Sequence, residues 1–191
     1  MNHLLFEKRD LHPGNVLCNY VTAGYCIGDL GLSVLESESG DIKEIAGVMP
    51  YVAPELFNGS THSEASDIYA FGILMWEISS RKKHFYQINH DKLLALHIFY
   101  GLRPTITEDT PQFYRDLMQK CWHSDPMQRP KAEEIKNLTC MWRFSPTQEI
   151  EDELVNAEEL RKRHISTKKA TKTPHPGAIY TSRIMPNITN G

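Results

Sequence analysis

Three side chains near the start of the chain offer hard oxygen donors at a spacing that suits a magnesium ion. Asp10 and Asn15 lie in the segment K-R-D-L-H-P-G-N-V-L, and Asp29 follows in a short D-L-G turn. Magnesium keeps several of its waters and is normally held by one or two protein oxygens together with substrate phosphates. This sparse Asp/Asn set therefore predicts a magnesium–phosphate site, with Asp10 left to orient a substrate hydroxyl.

Local signals place these donors on loops beside a short hairpin. The Pro13-Gly14 pair marks a loop after Asp10. Apolar residues at positions 16–17 and 20–21 then predict a strand that closes on residues 25–27. We expect this hairpin to bring Asn15 close to Asp29.

Further along the chain, the apolar pattern predicts a helical body. Residues 68–76 are apolar on all sides, which is typical of a helix surrounded by protein. Amphipathic helices are expected around it at residues 91–100, 111–122 and 131–141. These features predict a mainly α fold with one core, and the longest apolar run is far too short to cross a bilayer.

Composition argues against several classes of partner. The chain has 191 residues, with 21 Lys and Arg against 24 Asp and Glu and a net charge of −3. Without a basic field, neither nucleic acid nor a membrane surface is expected as a partner. The four cysteines form no C-x-x-C pair and no signal-peptide pattern opens the chain, which favours a reducing, cytoplasmic compartment. No pattern predicts an oligomeric state.

Five motifs then occur in a familiar order and spacing. They are R-D-L-x-x-x-N at residues 9–15, D-x-G at 29–31, A-P-E at 53–55, D-x-Y-x-F-G at 67–72 and C-W-x-x-D-P-x-x-R-P at 121–130. Together they resemble the second half of a eukaryotic protein kinase domain. The last motif is similar to that of the tyrosine-kinase-like group, and the H-P-G-N form of the first loop is similar to the large fungal branch of that group.

The resemblance implies a protein-kinase C-lobe, which is a helical bundle with a short β-hairpin at the loop that carries Asp10. The 191 residues contain no G-x-G-x-x-G loop and no V-A-I-K-like strand, and Lys8 stands where the family usually has histidine. The smaller β-rich lobe is therefore expected to be absent, as in a domain truncated at its amino end.

The implied domains are an atypical start at residues 1–8, the C-lobe at 9–143 and a mostly disordered, charged tail at 144–191. The tail has one possible helix at 149–159. Its basic clusters leave nuclear import open beside a cytoplasmic location, although solvated charge is the simpler interpretation.

The resemblance also implies the chemistry. The chain would be an ATP-dependent protein kinase that uses ATP and Mg²⁺ and acts on a protein substrate. Asp10 would accept the proton of the substrate hydroxyl, Asn15 and Asp29 would hold magnesium against the ATP phosphates, and Arg9 would bridge to the activation loop.

Other matched residues have implied structural or regulatory roles. Glu55 would pair with Arg129, and Asp67 would hold Arg9 and Asp10 by accepting amide hydrogens, unless it is only a helix cap. The polar segment at residues 33–45 corresponds to the activation loop. Its candidate phosphorylation sites are Ser33, Ser37 and Ser39, with a solvated loop carrying incidental serines as the alternative.

Substrate type and activity leave alternatives open. His12 replaces both the lysine typical of Ser/Thr kinases and the alanine typical of tyrosine kinases, whereas residues 51–55 look more like the Ser/Thr form. We therefore favour serine or threonine as the acceptor. The alternatives to an enzyme are a catalytically inactive, kinase-derived binding module and a gene fragment without a folded product.

Overall fold

A computed structural model describes residues 10–19, 24–28, 46–166, 173–186 and 188. Within these residues the helices are α1 Pro54–Phe57, α2 Glu64–Ser80, α3 Lys92–Phe99, α4 Gln112–Cys121, α5 Ala132–Phe144 and α6 Gln148–Ser166. Two antiparallel strand pairs join β1 Val16–Asn19 to β2 Gly24–Ile27, and β3 Ala46–Gly47 to β4 Arg183–Ile184. The predicted mainly α fold with a short hairpin after Asp10 is confirmed.

Helix α2 is the centre of the core. It starts at a capping box in which Ser63 Oγ accepts from the Ser66 N–H at 3.3 Å and Ser66 Oγ accepts from the Ser63 N–H at 3.1 Å. The helix therefore begins before Asp67, which lies in its first turn and is not its cap. It ends at Arg81, whose φ of 55° is left-handed. Residues along all faces of α2 are buried, as the apolar pattern predicts.

The surrounding helices lie close to their predicted positions. Helix α3 begins after Asp91, whose carboxylate accepts from the N–H groups of Leu93 and Leu94 at 3.0 and 3.1 Å. Helix α3 packs against α1, and α4 packs against α2. A hydrogen bond from the Tyr114 hydroxyl to the Met75 carbonyl, 3.0 Å long, joins α4 to α2. The predicted helices at 91–100, 111–122 and 131–141 are thus confirmed to within a few residues.

Helices α2 and α4 lie in close contact at Gly72. A Cβ atom added there would lie 2.9 Å from Cys121 Cβ and 3.1 Å from the Trp122 backbone nitrogen. Cys121 is fully buried, so it has little room to move away. Glycine is therefore required here by the spacing of the two helices.

Gly72→Ala is expected to lower the free energy of unfolding by about 1–3 kcal/mol, because the added methyl overpacks the α2–α4 contact. Urea denaturation measures the change. Ile78→Ala alters the same helix at a side chain that is 72% exposed, and it should shift stability by no more than about 0.5 kcal/mol. Equal stabilities of the Gly72→Ala chain and the parent would contradict the close approach.

His84 is buried just after α2. Its side chain is 1% exposed and its ring stacks 3.7 Å from the Phe85 ring, centroid to centroid. Among the described residues, neither ring nitrogen has a hydrogen-bond partner. Burial, followed by electrostatic interactions with His90 and Arg103, lowers the pKa of His84 to about 3.

This histidine should make the fold sensitive to acid. Its pKa is 6.5 when unperturbed and about 3 in the folded chain, so between these values the unfolded chain binds more protons. Between these values, each unit by which the pH is lowered should therefore reduce the free energy of unfolding by about 1.4 kcal/mol through this group. We expect His84→Phe to reduce the loss of stability between pH 7 and pH 5 by about 2 kcal/mol.

Urea titrations at the two pH values test this difference. The matched control is His97→Phe, which makes the same chemical change at an exposed position of α3. If the His84→Phe chain lost as much stability as the parent between pH 7 and pH 5, the buried neutral histidine would be contradicted.

Helix α6 lies in the tail, where the sequence predicts one possible helix at residues 149–159 within a mostly disordered segment. Its Ile150 and Ala157 are buried and stand two helical turns apart. Glu153 Oε2 accepts from the Phe113 N–H at 3.1 Å, and Arg161 pairs with Asp109 at 3.4 Å. A narrow apolar stripe thus orders an otherwise charged helix. The domain boundaries at residues 9 and 143 stay predictions. In the part of the chain that the structure describes, no helix is both long and apolar enough to cross a membrane.

Candidate functional site

Asp10 and Asn15 stand at the two ends of one loop, residues 10–15, which we call the Asp10 loop. The Asn15 side-chain nitrogen donates to the Asp10 carbonyl oxygen at 2.7 Å, and residues 13–15 form a 3₁₀ turn. Because Nδ2 is used in this bond, the amide oxygen of Asn15 is left as an acceptor. The loop therefore supplies two oxygen donors, one carboxylate and one amide.

The hairpin returns the chain to Asn15 just before Asp29. Val16 pairs with Ile27, and the Gly28 N–H donates to the Asn15 carbonyl at 2.7 Å. Asp29 is the next residue but lies outside the described residues, as does Arg9. The described part of the hairpin thus reaches Gly28, next to Asp29 in the chain. That the Asp29 side chain lies close to Asn15 stays a prediction.

His12 belongs to this site, although the sequence pattern gave it no role in the chemistry. Its Nε2 lies 3.4 Å from Asp10 Oδ2, and its Nδ1 accepts from the Gly14 N–H at 3.1 Å. Since Nδ1 is the acceptor, a neutral imidazole carries its proton on Nε2, beside the carboxylate. His12 can therefore orient Asp10. The available signal was its position two residues after Asp10 in a tight loop.

Asp67 lines the same small cleft as Asp10, between the Asp10 loop and the start of α2. Its residue is 7% exposed, and burial, followed by the charge of Glu64, raises the pKa of its carboxyl to about 7. A buried carboxylate needs hydrogen-bond donors, but its predicted partner Arg9 lies outside the described residues. The structure brings Asp67 to the correct side of the loop, and its positioning role stays a prediction.

Glu55 and Arg129 form a two-point ion pair. Arg129 Nη1 donates to Glu55 Oε1 at 2.7 Å, and Nη2 donates to Oε2 at 2.8 Å. The same guanidinium donates to the carbonyls of Ala65 and His123 at 2.8 and 2.9 Å. Its side chain is 0% exposed, and neither partner lines the cleft at Asp10. The pair therefore joins α1, the start of α2 and the turn before α5 away from the chemistry.

Comparison with known proteins gives this arrangement a family. A profile described as protein tyrosine and serine/threonine kinase matches residues 3–138. The chain belongs to this protein kinase family. Protein kinases are phosphotransferases, and the match includes all five described residues that the motifs singled out: Asp10, Asn15, Glu55, Asp67 and Arg129.

Individual kinases agree with the family match. The chain is 34% identical over 138 residues to a "Probable serine/threonine-protein kinase" of Dictyostelium discoideum. The aligned region covers 66% of this chain and 8% of that protein. It is also 34% identical over 141 residues to the human mitogen-activated protein kinase kinase kinase 7, covering 72% of this chain and 23% of that protein. This kinase-family chain thus spans less than a quarter of the length of these relatives.

Several predicted residues of the kinase site cannot be placed. Arg9, Asp29 and the candidate phosphorylation sites Ser33, Ser37 and Ser39 all lie outside the described residues. Their roles in this chain stay predictions that rest on the motifs.

Proposed function

We propose that the chain is the C-lobe of an ATP-dependent protein kinase of the tyrosine-kinase-like group, which transfers a phosphoryl group to serine or threonine hydroxyls of a protein. The observation that carries this proposal is the Asp10 loop, where the hydrogen bond from Asn15 to the Asp10 carbonyl holds a carboxylate and an amide together. Two further facts support the choice of hydroxyl. The relatives include kinases named for serine and threonine, and residues 51–55 match that form.

The donor set fits magnesium. Asn15 Oδ1 and the Asp29 carboxylate are hard oxygens, and the hydrogen bond made by Asn15 Nδ2 determines which end of that amide is available. These two residues would hold the ion. When bound, magnesium neutralises charge on the ATP phosphates during transfer.

Asp10 is the proposed base. Its carboxylate accepts the proton of the attacking hydroxyl, and the imidazole of His12, 3.4 Å away, orients it. Arg9 pairs with a phosphate added at Ser33, Ser37 or Ser39, which would order the activation loop. Asp67 holds the start of the Asp10 loop.

ATP also requires a glycine-rich loop and a strand lysine, which these 191 residues do not contain. We therefore propose that the C-lobe at residues 9–143 acts with a β-rich lobe that this sequence does not include. The proposed compartment is the cytoplasm, since the cysteine pattern gives no disulfide framework.

The test is phosphoryl transfer by this chain joined at its amino end to the β-rich lobe of a related kinase. We expect magnesium-dependent transfer from ATP to a general protein substrate, with phosphoserine or phosphothreonine in the hydrolysed product. Phosphotyrosine alone would overturn the choice of acceptor. No transfer in a folded fusion protein would favour the second candidate.

The second candidate is a kinase-derived binding module without catalysis. It is favoured by exposed apolar side chains at α3, where Leu93 is 59% and Tyr100 79% exposed. Magnesium-dependent ATP binding that Asp29→Ala abolishes would contradict it. A gene fragment, the remaining alternative, predicts rapid proteolysis throughout, whereas a protease-resistant core over residues 46–166 would argue against a fragment.

A further inference from the structure

We propose that the carboxyl-terminal segment of this chain, residues 173–188, is the built-in ligand of a peptide-binding site on the helical body. We call this segment the strap. Its site is formed by the loop at residues 84–90, the edge of strand β3 and the end of α1. The ligand class is an extended peptide with the pattern Tyr-x-x-Arg-x-Met, which the strap itself carries at residues 180–185.

The first contact is made by buried His90. Its Nε2 lies 3.2 Å from the Phe85 carbonyl oxygen, within hydrogen-bond distance. The other ring nitrogen, Nδ1, faces the Ile179 backbone, at 2.9 Å from its carbonyl oxygen and 3.1 Å from its nitrogen. The His90 N–H also donates to the Gly177 carbonyl at 3.0 Å. One histidine thus binds two backbone groups of the strap, as a receptor for an extended peptide does.

Tyr180 is the aromatic anchor of the strap. Its hydroxyl donates to the His84 carbonyl, and its ring packs edge-on against the His90 ring with centroids 5.0 Å apart. The Lys83 ammonium lies 4.6 Å from the centre of the same ring. The site therefore recognises a phenol ring at this position by three different contacts.

Two more side chains complete the pattern. The Arg183 guanidinium donates to the His90 carbonyl. Met185 is 6% exposed and belongs to the main hydrophobic core. By contrast Ile184, which lies between them, is 56% exposed and contributes to the strand only.

Strand pairing brings the strap beside Asp10. Gly47 pairs with Arg183 and Ala46 pairs with Ile184, so β4 occupies the edge of β3. A Cβ atom on Gly47 would lie 3.5 Å from Asp10 Oδ1, which places this edge against the Asp10 carboxylate. Beyond β4, the Ile188 N–H donates to the Phe57 carbonyl at 3.3 Å. An added strand at this edge is the usual way in which a protein binds an extended peptide.

The strap is built so that it can be exchanged. Its ladder with β3 has two residue pairs, and several of its side chains are exposed, including Thr181 and Ser182. Pro174, Pro176 and Pro186 keep the strap out of a helix. The strap turns at residues 175–178, where the Ala178 N–H donates to the His175 carbonyl at 2.9 Å, before it reaches strand β4. A segment with few buried side chains opens at a low cost in free energy, so a second peptide of the same pattern can replace it.

If the proposed function holds, the closed strap also excludes protein substrates from the edge beside Asp10. This last step rests on that function, whereas the peptide-binding site does not.

The experiment uses the full chain and a fluorescent peptide with the sequence of residues 174–188. Met185→Ala in the chain weakens the strap and leaves the site unchanged, so we expect this chain to bind the peptide at least about tenfold more tightly than the parent. Peptides in which the tyrosine or the arginine is replaced by alanine should bind about tenfold more weakly. Ile184→Ala, a change of similar size at an exposed position, is the control and should bind the peptide like the parent.

Hydrogen exchange gives a second readout that needs neither ATP nor transfer, so a failed kinase assay does not affect it. The His90 amide should exchange about tenfold faster in the Met185→Ala chain and recover its protection when peptide is added. If Met185→Ala also exposes α2 amides, Tyr180→Phe replaces it, because that change removes only the hydroxyl contact with His84. Unchanged exchange, or faster exchange without peptide binding, would overturn the proposal.

Discussion

Arg129→Ala is expected to lower the free energy of unfolding by about 3–5 kcal/mol. The side chain is 0% exposed and donates to Glu55 at 2.7 and 2.8 Å. Removing it leaves the Glu55 carboxylate, whose side chain is 15% exposed, without its cation in a nearly dry site. Two carbonyls, of Ala65 and His123, lose a charged donor as well. The loss should therefore exceed that of any surface ion pair in the described residues.

Urea denaturation followed by tryptophan fluorescence measures this change, and a cycle with Glu55→Ala isolates the pair. The double variant should lose less unfolding free energy than the two single variants lose in sum, since it leaves no unpaired buried charge. Arg163→Ala is the matched control, because its pair with Glu159 is 3.8 Å long and its side chain is 74% exposed. That control should cost less than about 1 kcal/mol. An equally small effect at Arg129 would contradict a structural role for the pair.

Asp10→Asn is expected to slow phosphoryl transfer by about 10²–10⁴-fold in the chain joined to a β-rich lobe. Asparagine keeps the size of the side chain but cannot take up the proton of the attacking hydroxyl. The hydrogen bond from Asn15 goes to the Asp10 backbone carbonyl, so the shape of the loop should survive the change. The loss should therefore fall on kcat, with the KM for ATP little altered.

Steady-state rates at saturating ATP measure this loss, with the free energy of unfolding determined in parallel. Asp116→Asn makes the same chemical change on the exposed face of α4, where the carboxylate accepts from Gln112 at 2.6 Å, and it should leave kcat unchanged. A folded Asp10→Asn protein that keeps the parent rate would remove Asp10 from the proposed chemistry.

The sequence by itself determined the family and the helical body of this protein. Helices have a local period, so the apolar positions of α2, α3 and α4 were visible within single windows of the chain. The five motifs were equally local, and their order alone identified the kinase C-lobe and pointed to Asp10 and Asn15. The start of α2 needed the structure, because the sequence left Asp67 open as a helix cap, whereas the cap is Ser63.

Only the tertiary structure decided how distant parts of the chain meet. The need for glycine at position 72 depends on how close α4 approaches, and the burial of His84 depends on the rings packed around it. The tail is the clearest case: outside one possible helix at residues 149–159 its composition predicted disorder, yet Met185 is buried against the rest of the chain. Such contacts join residues far apart in the sequence, so neither local periodicity nor composition predicts them. They stabilise the protein only when both surfaces are already folded.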